Sequence, residues 1–145
     1  MIQPERNEIK RPTETEGVIF LLYKGGRVLV EGRLKKGSGF YGLTVIPGGE
    51  IEKGETPENA MKREIKEELD VVVKDFEELD TFESVTLNFG YHVFHAYLVT
   101  RFDGEIKNME PEKSHFHWVS VPEAWDILKL ASSRYVLCLA EKFTG

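Results

Sequence analysis

The longest apolar run in the chain is Val18-Ile19-Phe20-Leu21-Leu22-Tyr23. It is far too short for the roughly 20 residues of a membrane span, and it reads as a buried strand covering Thr15 to Tyr23. A chain of 145 residues, 41% hydrophobic and 30% charged, can close a single core around such a strand. That composition excludes global disorder, and 13 Gly and 6 Pro in no fixed period exclude a collagen-like chain. The lone Cys138 builds neither an intrachain disulfide nor a thiolate zinc site, and it reads as a core residue of a late helix. Met1 to Glu16 is polar, with no signal-peptide core, so a cytoplasmic protein with no membrane segment is expected. A net charge of −6 argues against a nucleic-acid polymer as partner. It leaves room for a small phosphorylated ligand held through a bound cation.

Residues 1–14 read as an N-terminal arm, and 15–145 as one α/β domain with no internal repeat. Lys24-Gly25-Gly26 predicts a hairpin turn into a strand over Arg27–Arg33, with Val28 and Val30 on one face and Leu29 on the other. Tyr41 to Ile46 predicts a short strand stopped by Pro47-Gly48-Gly49. Thr56 as N-cap and Pro57 at the first helical position predict a helix to about Leu69. Short strands follow at Val71–Val73 and Phe76–Phe82, a strongly alternating strand at Phe89–Thr100, and a polar loop at 103–114. A strand at His115–Val119 precedes helices at Pro122–Leu130 and Ser132–Phe143, the latter capped by Ser132.

The helix at 57–69 breaks a local rule. With about 3.6 residues per turn, Met61, Ile65 and Leu69 form its buried stripe. Glu64, Glu67 and Glu68 fall together beside that stripe at i, i+3 and i+4. Like charges so spaced destabilise by about 0.2–0.5 kcal/mol per pair, and acids near a helix C-terminus oppose the macrodipole. A place where local rules fail is a candidate functional site. Three carboxylates on one rigid face suit a hard divalent cation, Mg²⁺ or Mn²⁺.

From Gly49 the chain gives five residues, Glu55, seven residues, then Arg63-Glu64-Ile65-Lys66-Glu67-Glu68-Leu69-Asp70-Val71. This closely resembles the signature of the Nudix hydrolases, G-x5-E-x7-R-E-U-x-E-E-x-G-U, where U is a bulky aliphatic residue. One of nine specified positions departs: Asp70 stands where the family has a helix-terminating Gly. Asp tolerates the left-handed conformation better than most residues. The resemblance implies an α/β/α sandwich around a mixed β-sheet, and MutT-like hydrolysis of a nucleoside diphosphate linked to another moiety. Carried over by position, it implies Glu64, Glu67 and Glu68 as cation carboxylates, with the Gly48 carbonyl as a further ligand. Glu55 and Arg63 would brace the loop against the helix. Glu64 is favoured as the base, and Glu112, six residues before Trp118, resembles the position of an additional acidic ligand.

Substrate choice lies outside the signature. Leu34 to Gly42 is similar to the loop before the signature in MutT-like nucleoside triphosphate pyrophosphatases; its Lys35 and Lys36 are placed to meet outer phosphates, and Arg33 just before it is a further substrate-binding candidate. Phe40, Tyr41, Phe89, Tyr91, Phe94 and Trp118 are aromatic candidates for stacking on a base. The leading expectation is a Mg²⁺-dependent nucleoside triphosphate pyrophosphohydrolase acting on a small-molecule nucleotide, with an oxidised purine as refinement. ADP-ribose or dinucleoside polyphosphate hydrolysis, and a non-catalytic nucleotide sensor, stay open. A homodimer is common in the family, though no interface is legible in the sequence.

Overall fold

In the computed structural model, which describes residues 15–37, 40–86 and 90–144, the apolar run becomes the central strand β1 (Thr15–Lys24). Val18 to Leu22 are buried on both faces, as a strand covered from two sides requires. β2 (Arg27–Arg33) returns from the Gly25-Gly26 turn, where both glycines take positive φ. β3 (Thr44–Val45) pairs with β2, and β4 (Gly48–Glu50) pairs antiparallel with β1. After the helix α1 (Pro57–Leu69), a long hairpin forms from β5 (Val72–Thr86) and β6 (Gly90–Asp103). β6 runs parallel to β1, from Thr15↔His92 to Leu22↔Val99, so the sheet is mixed. β7 (Ser114–Ser120) lies antiparallel along β2, followed by α2 (Val121–Ile127) and α3 (Ala131–Thr144).

Strict alternation along the strands sorts the apolar side chains into two cores. Val18, Phe20, Leu22, Leu29, Tyr97 and Val99 meet Met61, Ile65 and Leu69 of α1. Ile19, Leu21, Val28, Val30, Ala96 and Leu98 meet Ala124, Leu128, Val136 and Leu137 of α2 and α3. The result is the expected α/β/α sandwich. No described helix is long and apolar enough to cross a membrane.

α1 keeps its expected bounds because both ends are capped. Thr56 Oγ1 accepts from Asn59 N at 3.2 Å, and Pro57 opens the helix. Asp70 takes the left-handed cap, φ 57° and ψ 36°, and its N–H donates to Lys66 O at 3.1 Å. The last carbonyls are met from outside. Lys107 N donates to Leu69 O at 2.9 Å and Met109 N to Glu68 O at 3.1 Å, which pins the β6–β7 connection onto the helix end.

Several expected bounds shift. The Tyr41–Ile46 strand shortens to Thr44–Val45, and Pro47-Gly48-Gly49 leads into β4 instead of ending pairing. A Cβ on Gly48 would stand 2.4 Å from Val18 O, so only glycine allows this approach. The two strands expected at 71–73 and 76–82 are one strand; register shifts near Asp75 and Glu78 break its alternation and hide its continuity. β6 runs on to Asp103, past the expected end at Thr100. Ser120, not Pro122, marks the start of α2, its Oγ accepting from Glu123 N at 3.2 Å. α3 begins at Ala131, so Ser132 lies inside its first turn rather than at its cap. Cys138 is exposed, not core, because Ser133, Val136, Leu137 and Ala140 define the buried face and Cys138 falls opposite. The N-terminal arm 1–14, and Phe89 at the start of the expected strand 89–100, lie outside the described residues.

Asp70→Val is expected to destabilise by about 1–2 kcal/mol, the cost of a β-branched side chain in the left-handed region, while Asp70→Gly leaves stability near wild type. Thermal melts of both variants would check this, and equal melting temperatures would contradict it.

Candidate active site

The site is built around Arg63, whose five N–H donors are all engaged. Nε and Nη2 grip Glu55 in a bidentate fork at 2.7 and 2.9 Å. Nη2 also donates to Glu50 O at 3.0 Å, and Nη1 reaches Glu64 at 3.0 Å and Glu67 at 3.2 Å. Glu55 accepts in turn from Glu52 N at 3.1 Å, so the loop is tied to α1 from both sides. The Arg63 hydrogen bond holds the Glu55 carboxyl below the usual glutamate range, and Glu55 in turn keeps the guanidinium charged.

The other acids experience the opposite field. Burial pushes the Glu64 carboxyl up, against the pull of Arg63. Burial first, then the charges of Glu31, Glu64 and Glu110, push Glu68 up to about 9. Glu68 Oε2 is buried with no hydrogen-bond partner among the described residues. Glu31 on β2 is buried, accepts from Ser114 Oγ, and is likewise raised by burial. Glu110 pairs with Lys113 Nζ at 2.5 Å. Glu64 fits only because Gly49 lacks a side chain: a Cβ there would stand 2.2 Å from Glu64 Cδ.

Two cavities meet at this point. A polar cleft of about 410 Å³ is lined by Glu31, Glu68, Glu110, Lys113 and the β4 glycines. An apolar cavity of about 230 Å³ is lined by Phe40, Ile46, His92, Phe94 and Ser133. Glu31, Arg33, Gly48, Gly49 and Glu50 border both. The apolar cavity falls below the roughly 300–1,000 Å³ of drug-sized sites, a size that suits one planar ring system. His92 stacks on Phe94, with ring centroids 5.5 Å apart.

A hard divalent cation fits the donor set: all-oxygen ligands, a buried carboxylate oxygen on Glu68 without a partner among the described residues, and four carboxyl groups along the cleft against the two cations Arg33 and Lys113. As they stand, no three described acid, His or Cys side chains converge on one point. Glu31, Glu50, Glu68 and Glu110 line the cleft, whereas Glu64 and Glu67 lie outside its lining.

Of the residues singled out by sequence, Arg33, Gly48 and Glu68 border the polar cleft. Glu64 sits against Gly49, and Arg63 and Glu55 form the brace. Glu67 is held on the same helix face through Arg63. Phe40 lines the apolar cavity, with a φ of 64° that is unusual for a residue with a side chain. Lys35, Lys36 and Tyr41 are exposed on the loop and border neither cavity. Trp118 packs in the core on the α1 side, stacked on Phe102 at 6.4 Å. Glu112 points to solvent, and Glu110 two residues earlier faces the cleft in its place. Tyr91 is buried and borders neither cavity.

Sequence reasoning missed Glu31, Ser114 and Glu110. Glu31 left a signal, a carboxylate inside a buried strand on the Leu29 face that α1 covers. Glu110 left none, because its position depends on how Asn108 and Met109 fasten the loop.

A NUDIX domain family model matches residues 13–139. An 8-oxo-dGTP diphosphatase of Haemophilus influenzae is 36% identical over 84 residues, which are 55% of this chain and 57% of that protein. The match thus spans little more than half of that relative's length. Among solved structures, a MutT NUDIX hydrolase of Burkholderia pseudomallei superposes with a TM-score of 0.74 at 26% identity, over 86% of this chain and 95% of that one. The NUDIX domain of Shewanella oneidensis NrtR, complexed with ADP ribose, superposes with a TM-score of 0.74 at 19% identity, over 97% and 94%. At that identity the likeness concerns the fold alone.

Two outcomes are expected. Gly49→Ala forces Glu64 aside and lowers both stability and divalent-cation affinity; unchanged Mn²⁺ titration would contradict the geometry. In chelator, the folded state keeps the Glu68 proton until about pH 9, whereas the unfolded chain releases it near 4.5. Stability is then full below the lower value and declines as pH rises toward the upper one. Melting temperatures measured across that range should fall, and Glu68→Gln should flatten the slope.

Proposed function

The chain belongs to the NUDIX family, and from that premise we propose that it is a Mg²⁺-dependent nucleoside triphosphate pyrophosphohydrolase that releases a monophosphate and pyrophosphate. The observation that carries this reading is the adjacency of an acidic cleft and a ring-sized apolar cavity, with Arg33 on their shared border. A nucleotide presents a matching pair of features, a planar base and a dense polyanion.

The acidic cleft by itself repels a polyphosphate. Glu68 and the Gly48 carbonyl in the cleft, with Glu64 and Glu67 beside it on α1, would hold divalent ions, which supply charge neutralisation and a more acidic water when bound. The protein's own groups do the rest. Arg63 and Glu55 keep α1 and its loop in fixed relation, which sets the geometry of the carboxylates. Glu64, partly buried and raised by that burial, takes the proton of the attacking water. Arg33 carries a positive charge at the border of the two cavities, where the first phosphates of a nucleotide would lie. Phe40 and Phe94 offer apolar surface to the base.

An oxidised purine is the preferred base, on the strength of the Haemophilus influenzae relative's 8-oxo-dGTP diphosphatase name. A cytoplasmic setting accompanies this reading, since the lone cysteine gives no sign of an oxidising compartment.

The test is product analysis with Mg²⁺ and a panel of ordinary and oxidised nucleoside triphosphates, ADP-ribose and a dinucleoside tetraphosphate. Monophosphate plus pyrophosphate is expected, fastest from an oxidised purine; cleavage of ADP-ribose alone would replace the substrate assignment. Glu64→Gln should reduce kcat by about 10²–10⁴-fold with the fold retained, and near-wild-type turnover would overturn its role.

A further inference from the structure

β2 carries a carboxylate in an unusual place. Glu31 is 3% exposed, and a buried carboxylate is stable only when paired with a cation or well hydrogen-bonded. Its two protein partners both act on one oxygen, Oε2. Ser114 Oγ donates to Oε2, a bond from a neutral group. Arg33 Nη1 forms an ion pair with the same oxygen at 3.6 Å, too long for a hydrogen bond, and Arg33 Nε is buried without a partner among the described residues.

Glu31 borders the same cleft as Glu68. Glu68 approaches from the helix with a buried oxygen that no donor among the described residues meets, and Glu31 approaches from the sheet. Two acids from opposite walls thus line one volume, each with a carboxylate oxygen that no described hydrogen bond claims.

We propose that Glu31 is an additional carboxylate of the divalent-cation site, holding from β2 the ion that Glu68 holds from α1. Ser114 is its positioning residue: the hydroxyl fixes Oε2 and leaves the second oxygen to the cleft. The side chains do not converge as they stand, so binding brings the Glu68 and Glu31 carboxylates closer together across the cleft. All-oxygen coordination by carboxylates suits Mg²⁺ and Mn²⁺. The proposal rests on the cation-dependent reading above and adds to it a residue outside the helix signature.

The experiment is Mn²⁺ binding to the full chain without nucleotide, followed by calorimetry and by the paramagnetic resonance of free Mn²⁺. Wild type, Glu31→Gln, Ser114→Ala and Glu68→Gln are compared, with circular dichroism to confirm the fold. Glu31→Gln is expected to weaken Mn²⁺ binding about tenfold or more, and Ser114→Ala by a smaller factor, as loss of an orienting partner typically does. Reduced affinity in Glu68→Gln alone, with Glu31→Gln binding as tightly as wild type or tighter, would overturn the proposal and leave the cation site intact. Undiminished affinity in Glu68→Gln would instead count against the helix carboxylates, and so against the reading beneath. Should Glu31→Gln not fold, Glu31→Asp decides: it keeps the charge and withdraws it by one methylene, and wild-type affinity there overturns the proposal.

Discussion

The guanidinium of Arg63 lies where the loop after β4 meets α1, and five hydrogen bonds radiate from it to Glu50, Glu55, Glu64 and Glu67. Three carboxylates crowded on one side of the helix would repel one another if left alone. A planar fork satisfies several of them in fixed directions, which an ammonium at that position would not do, because its three donors rotate about a single point. The same fork takes a backbone carbonyl of the loop, so compensation of charge and placement of the chain are one interaction. Glu68 stays outside the reach of Arg63, and its carboxyl is raised the furthest in the cluster.

Space is the second constraint. β4 lies so close to β1 that Gly48 and Gly17 have backbone oxygens where a Cβ would be, and Gly49 leaves the room that Glu64 fills. The glycines thus bring strand, helix and loop within reach of one another. The buried sheet then supplies a rigid wall, with Glu31 and Arg33 projecting toward α1 from the end of β2. Across the cleft, the β6–β7 connection is fastened to the C-terminal carbonyls of α1 through Lys107 and Met109. Helix termination and placement of Glu110 are therefore coupled: the peptide groups that satisfy the helix end also set the loop that carries the acid.

Much of the fold was legible because its signals are local. The cap at Thr56, the Met61–Ile65–Leu69 stripe and the left-handed tolerance of Asp70 each depend on a few neighbouring residues, and α1 has the expected bounds. The alternation of Val28, Leu29 and Val30, and of Ala96, Tyr97, Leu98 and Val99, assigned side chains to the two cores that form. The long β5 looks like two pieces in sequence because its register shifts interrupt the two-residue period. Apolar neighbours in sequence suggest a core position for Cys138, whereas a helix buries by angle and leaves it exposed.

For the site, the sequence determined the parts whose spacing is set by one helix and its loop: Glu55, Arg63, Glu64, Glu67 and Glu68 are brought together by the pitch of α1 and the length of the Gly49–Glu55 segment. Only the tertiary structure decided what faces them. Glu31 reaches the cleft because it shares the Leu29 face of β2, which joins the core under α1, and Glu110 reaches it because the loop is tied to the helix end, while Glu112, equally acidic, is exposed to solvent. Lys35, Lys36, Tyr41 and Trp118 fall outside the cavities for the same reason. Residue type and spacing fix which groups can share a helix face, but the packing of separate elements fixes which groups meet across a gap.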